Sequence, residues 1–179
     1  MKILITGSKG QLGNELQRCL STMTAEIGSI PAEYRDAEVD AADADVLDIT
    51  NKAVVDAWFN NNGPYDIVIN GAAMTNVDGC ETAEDVANAV NGQGPANLAQ
   101  ACEAQGAKFI QVSTDYVFPG NESGDRVETD VVNPLSAYGR SKLLGEQNTA
   151  KYCSKYFIVR TAWLYGYVGQ NFVKTMRKL

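Results

Sequence analysis

Histidine does not occur anywhere in the 179 residues. A zinc site would have to be assembled from cysteines and carboxylates, yet Cys19, Cys80, Cys102 and Cys153 are scattered with no CxxC spacing among them. No metal-ligand set is expected. Positive charge is also short: 15 Lys and Arg against 22 Asp and Glu leave a net charge of −7 and a pI near 4.6. Such a surface repels nucleic acid and anionic membrane alike. No apolar run approaches the ~18 residues of a membrane span, and Met1 leads directly into a strand pattern rather than a signal peptide. The expectation is a reduced, cytoplasmic protein with neither nucleic acid nor membrane as partner. Any anionic ligand must be held by local geometry.

What is present is an alternation of strand and helix signals. The apolar run Lys2-Ile3-Leu4-Ile5-Thr6 ends at Gly7, and Leu12, Leu16, Cys19 and Leu20 follow at helical spacing. Strand signals recur at residues 65–70, 107–113 and 156–160, with a weaker one at 37–40 after a polar stretch containing Pro31. Helical patterns occupy residues 52–60, 83–105 and 136–152. This order predicts right-handed βαβ crossovers, hence an α/β fold: a Rossmann-type doubly wound parallel sheet with helices on both faces. A chain of 179 residues suits one such domain. It shows no internal repeat, low-complexity tract or linker.

The segment Thr6-Gly7-Ser8-Lys9-Gly10-Gln11-Leu12-Gly13 follows a strand and opens a helix, the context in which a glycine pattern reads as a dinucleotide turn. Gly7 can take a backbone conformation closed to other residues, Gly10 lets the main chain approach a pyrophosphate, and Gly13 lets helix and sheet pack closely. The helix N-terminus then faces the phosphates. The spacing is GxxGxxG, the variant that resembles the short-chain dehydrogenase/reductase type. An acid ending the second strand would bind the adenosine ribose, and Asp40 and Asp43 are the candidates. Either disfavours a 2′-phosphate, whereas Lys9 could pair with one, so NADH and NADPH both stay open. Asp48-Ile49 precedes Thr50, a candidate cap for the next helix, and an acid there could face the adenine edge.

The fourth strand runs into Ser113-Thr114-Asp115-Tyr116-Val117-Phe118, at the carboxyl edge where open α/β sheets bind ligands. Thr114 is thereby placed to contact a substrate carbonyl. Further on, Pro134 ends a loop and Ser136 offers a helix cap, which brings Tyr138 into the first helical turn and Lys142 one turn later on the same face. A phenol beside an ammonium can deliver a proton; the ammonium is expected to draw the phenol down from its usual pKa of about 10.

Four segments carry a specific resemblance: residues 70–78 (NGAAMTNVD), residues 113–118 (STDYVF), residues 133–146 and residues 160–166 (RTAWLYG). In this order, along almost the whole chain, they resemble the dTDP-4-dehydrorhamnose reductase family of the extended short-chain dehydrogenase/reductase superfamily. The resemblance implies a catalytic triad of Thr114, Tyr138 and Lys142. It implies cofactor contacts, to NADPH or NADH, at Gly10-Gln11-Leu12, Asp48-Ile49 and Ala72-Ala73-Met74, and deoxysugar contacts at Thr114-Asp115 and Trp163. A magnesium ion and a homodimer are admitted by the resemblance alone. Met74 stands where such proteins often carry a histidine or an aromatic. The chain also stops at Leu179, where family members continue into a sugar-nucleotide lobe. Residues 1–179 are therefore expected to form the NAD(P)-binding Rossmann domain with that lobe largely absent, and to be weakly active or inactive alone.

The reaction implied is reduction of the 4-keto group of dTDP-4-dehydro-β-L-rhamnose to dTDP-β-L-rhamnose, a step of dTDP-rhamnose biosynthesis. Another nucleotide-sugar epimerase or reductase on the same scaffold is the nearest alternative. Elimination is disfavoured: related dehydratases place a glutamate after the Thr-Asp pair as a second carboxyl base, and Tyr116 stands there. A non-catalytic NAD(P)-binding module, resembling the regulatory subunit of methionine adenosyltransferase, is the alternative outside enzymes, and the intact triad weighs against it.

Overall fold

A computed structural model describes residues 1–121 and 124–178. Strands β1 (Lys2–Thr6), β2 (Glu38–Ala42), β3 (Ile67–Asn70), β4 (Lys108–Thr114) and β5 (Tyr156–Thr161) form one parallel sheet in the order 2-1-3-4-5. Helices α1 (Gln11–Thr22), α2 (Lys52–Asn62), α3 (Val77–Thr82), α4 (Glu84–Asn88), α5 (Gly94–Gln105), α6 (Ala137–Tyr152) and α7 (Phe172–Met176) lie between and after the strands. A two-residue ribbon pairs Thr24–Ala25 with Gly28–Ser29 ahead of β2. The order reverses at β1, between β2 and β3, which opens the crevice where such sheets bind ligands.

β1 lies inside the sheet, paired on both edges, and both of its faces are apolar. Leu4 points into the larger core with Val68 and Phe109, covered by Val55 and Phe59 of α2 and Leu98 and Cys102 of α5. Ile3 and Ile5 point the other way, against Leu16 and Leu20 of α1. The second face is covered only near β1: on β5, Phe157 and Val159 are exposed, beside their register partners Ile110 and Val112. All four cysteines are free and buried, and burial pushes the Cys102 thiol far up. Among the described residues no helix is long and apolar enough to cross a membrane.

Three local expectations change. The helical pattern over 83–105 is one unbroken helical run over 84–105, but it is not α throughout: α4 passes through a π turn (Ala89–Gln93) into α5. Pro95 has no amide to donate to the Asn91 carbonyl. That carbonyl faces Gly145 of α6, where a Cβ would lie 2.2 Å from it. β2 ends at Ala42, two residues beyond the range its weak pattern suggested, so Asp40 is a mid-strand residue. Finally, α2 is capped by Asn51, whose side chain accepts from the amides of Ala53 and Val54, rather than by Thr50.

Candidate active site

The carboxyl ends of β1, β3, β4 and β5 and the N-terminus of α1 surround a cleft of about 690 Å³. At the end where β1 meets α1, Gly7 has φ +65°, and a Cβ there would lie 2.6 Å from the Ala72 amide nitrogen. A Cβ on Gly13 would come within 2.4 Å of the Gly7 carbonyl oxygen. Both positions thus require glycine, one for conformation and one for closeness. No side chain caps α1 and no acid lies in its first turn; Gly10, Gln11, Leu12 and Gly13 line the cleft, with the Gly10 amide donating to the Gly7 carbonyl at 3.0 Å. This cradle fits a dinucleotide pyrophosphate.

The acids beyond β2 separate in role. Asp40 accepts from the Tyr65 hydroxyl at 2.6 Å, lies 3.4 Å from the Lys2 ammonium, and does not line the cleft. It belongs to a structural network with Trp58, whose indole N–H donates to Tyr65 at 3.0 Å, and is not placed to meet an adenosine ribose in the cleft. Asp43 does line the cleft and accepts from the amides of Lys9 at 3.0 Å and Ala44 at 2.8 Å. The Lys9 ammonium pairs with Asp45 at 2.7 Å. Asp48 also lines the cleft, and its carboxylate accepts from the amide and hydroxyl of Thr50. Ile49, Ala72 and Ala73 complete this wall. Met74 does not: its side chain packs with Cys80, Ala87, Ala137 and Tyr138, and its backbone is held on both sides by Asn91.

At the other end the three triad candidates converge. Thr114, buried at the end of β4, accepts from the Tyr116 amide and donates to Asp115. Ser136 caps α6 as its position suggests, accepting from the Gly139 amide at 3.1 Å. Gly139 in turn lets α6 press onto the Asp115–Val117 turn, since a Cβ there would lie 2.3 Å from the Tyr116 carbonyl oxygen. Tyr138 is half-buried and meets the Tyr116 ring edge-on at 5.5 Å. Trp163 lines the cleft rather than the core; it is 67 % exposed, has φ +52° and meets Phe172 edge-on.

The electrostatics differ from the expectation. Burial raises the Tyr138 pKa, and the facing Thr114 hydroxyl is the group that pulls it back. Lys142 is buried, and burial lowers its pKa to about 8 against the opposing charge of Glu146. Its ammonium donates to the Val112 carbonyl at 2.7 Å instead of leaning on the phenol. That carbonyl also accepts from Gln111 Nε2 at 2.8 Å. Gln111 Oε1 accepts from Asn70 at 2.7 Å, and Asn70 Oδ1 accepts from the Thr6 hydroxyl at 2.5 Å and from the Ala72 amide at 3.2 Å. A buried polar line therefore runs beneath the cleft from β1 to Lys142. Sequence patterns missed Asn70, Asn91 and Gln111, since a buried amide in a strand or helix leaves no periodic signal; Glu146 was missed as well, although its place one turn beyond Lys142 could have signalled it.

Among the described residues no group of three or more His, Cys, Asp or Glu could hold a metal ion. The family pattern described as RmlD substrate binding domain matches residues 1–179. A dTDP-4-dehydrorhamnose reductase of Aggregatibacter actinomycetemcomitans is 41% identical over 99% of this chain and 56% of its own length. The crystal structure of a dTDP-4-dehydrorhamnose reductase of Clostridium acetobutylicum superposes with TM-score 0.88 at 48% identity, over 99% of this chain and 59% of that one. A dTDP-4-dehydrorhamnose reductase of Bacillus anthracis, in complex with NADP, gives TM-score 0.89 at 40% identity, over 99% of this chain and 58% of that one. The chain spans little more than half the length of the relatives it matches, and over that span it belongs to the dTDP-4-dehydrorhamnose reductase family.

Proposed function

We propose that this chain provides the cofactor-binding and proton-delivering part of a reductase that converts dTDP-4-dehydro-β-L-rhamnose to dTDP-β-L-rhamnose with NADPH or NADH. The observation that carries the reading is the meeting of Thr114, Tyr138 and Lys142 with the glycine cradle in one cleft. The relative from Bacillus anthracis, in complex with NADP, supports the cofactor class. A reduced nicotinamide dinucleotide supplies a hydride when bound. Gly7, Gly10 and the α1 amides hold its phosphates, and Asp43 lies where the adenosine ribose would be met. Thr114 orients the 4-keto oxygen of the sugar. Tyr138, kept neutral by burial, gives its proton to that oxygen as the carbonyl carbon is reduced. Lys142 contacts the nicotinamide ribose and supplies the positive charge that receives the developing phenolate. Asp115 and Trp163 flank the sugar. Tyr116 puts a phenol where elimination would need a carboxylate, which favours simple reduction. The buried free thiols suit a reducing compartment, and we place the protein in the cytoplasm.

Binding of NADPH or NADH by the 179 residues, followed by titration calorimetry, is the first test; no binding at millimolar cofactor would sink the reading. Turnover of the dTDP-sugar by the whole protein, followed by nicotinamide absorbance, is the second. Tyr138→Phe should lower it by roughly 10²–10⁴-fold with cofactor binding retained, and an unchanged rate would remove Tyr138 from the mechanism. The sugar side lies open beside Trp163, so we expect weak turnover from these residues alone.

A further inference from the structure

Glu146 is a buried carboxylate, 4 % exposed, that the proton-delivery scheme leaves unused. It lies one turn beyond Lys142 on the same face of α6. Its Oε1 accepts from Ser113 Oγ at 2.6 Å and from Arg160 Nε at 2.9 Å, while its Oε2 accepts from the Arg160 guanidinium at 2.7 Å. Ser113 and Arg160 are register partners across β4 and β5. One carboxylate thus joins α6 to both strands, immediately before β4 delivers Thr114 and immediately after the Val112 carbonyl that holds Lys142. Arg160 is itself held from outside, its guanidinium 5.1 Å from the centre of the Phe118 ring. A buried ion pair is seldom more stabilising than apolar residues of equal volume, so stability alone does not explain why charge is placed here.

We infer that Glu146 is a positioning residue of the candidate active site, bridging Ser113 and Arg160 so that a fixed negative charge stands one turn behind the Lys142 ammonium. The role of Lys142 in this inference rests on the reductase reading; the charge coupling does not. Several elements pack on α6, which carries Lys142. Its own helix contributes Tyr138 and Glu146. β4 contributes the Val112 carbonyl and the hydroxyls of Ser113 and Thr114, and the following turn contributes Asp115 and Tyr116. α3 contributes Cys80 and Glu81, the latter accepting from the Ala137 amide, and α4 contributes Glu84, paired with Arg140. β5 contributes Arg160, whose charge is taken up by Glu146. Burial works against the ammonium, and Glu146 is the charge that opposes it. Without that carboxylate, Lys142 would lose its proton nearer neutrality.

The test is an NMR titration of the lysine Cε resonances in the 179-residue chain. The Lys142 signal, assigned by its loss in Lys142→Met, should titrate near pH 8. Glu146→Gln, which keeps the shape and an acceptor for Ser113, should weaken proton affinity at Lys142 by about tenfold or more. Ser113→Ala, which loosens the bridge and keeps the charge, should leave the midpoint in place. An unmoved midpoint in Glu146→Gln overturns the inference, and so does an equal shift in Ser113→Ala. If Glu146→Gln does not fold, the paired change Glu146→Met with Arg160→Met removes both charges and leaves neither alone; the midpoint should fall again, and an unmoved one overturns the inference. No arm uses turnover, so failure of the reductase reading would leave these midpoints unaltered, and failure here would leave that reading standing.

Discussion

Lys142 carries a cost that its neighbours only partly offset. Folding lowers its pKa from 10.5 to about 8, so between those values the unfolded chain binds more protons than the folded one. Stability contributed at this residue therefore rises as pH climbs from about 8 to 10.5, and the full penalty is present below pH 8. Lys142→Met should make the chain more stable at pH 7, by about 1–3 kcal/mol, as read from urea denaturation. The Val112 carbonyl keeps Gln111 as donor and Glu146 keeps Arg160, so no polar group is stranded. The same change should abolish turnover in the whole protein. With Lys142 intact, turnover should decline as pH rises through about 8, as the ammonium loses its proton; initial rates across that range check it. Asp43 sets a second residue-scale outcome. It lines the cleft while Lys9 is engaged by Asp45; on the proposed ribose role, Asp43→Asn should improve NADPH binding relative to NADH, by roughly tenfold, in paired calorimetric titrations.

The elements most legible in the sequence are those whose function forces a local pattern. The glycine turn into α1 was readable because Gly7 and Gly13 each exclude a side chain. Gly13→Ala should accordingly destabilise the chain by about 1–3 kcal/mol and lower its melting temperature, since the Gly7 carbonyl must move. Ser136 and Tyr138 were readable because a cap and a first turn have a fixed offset. The π turn between α4 and α5 was not, because the residues buried there, Asn91, Gly92 and Gly94, carry no apolar side chain to mark the shift in phase; Pro95 and the contact of the Asn91 carbonyl with Gly145 accompany it. Asp40 misled for a similar reason. In the polar strand Glu38–Ala42 the end is set by pairing with β1, up to Thr6 opposite Ala42, and not by its own residues. Met74 lies beside cleft residues in sequence, yet its side chain turns into the packing around Cys80.

At the scale of the whole molecule, the fold class and the sheet's ligand-binding edge were legible, while the incomplete cover on the second face was not, since exposure is a property of what packs where. Phe157, at 58 % exposure, and Val159, at 47 %, leave an apolar strip on β5. The native chain should therefore bind a hydrophobic dye such as ANS, and Phe157→Glu should reduce that fluorescence with little change in melting temperature. The polar line beneath the cleft has a different reach. The Thr6 hydroxyl donates at one end and the Val112 carbonyl can only accept at the other. The amides of Asn70 and Gln111 between them are thus locked into one orientation, like dominoes that can fall only one way. The glycine-turn end and the Lys142 end of the cleft are two terminals of a single polarised unit, and an amide reversed at Asn70 would be registered at both.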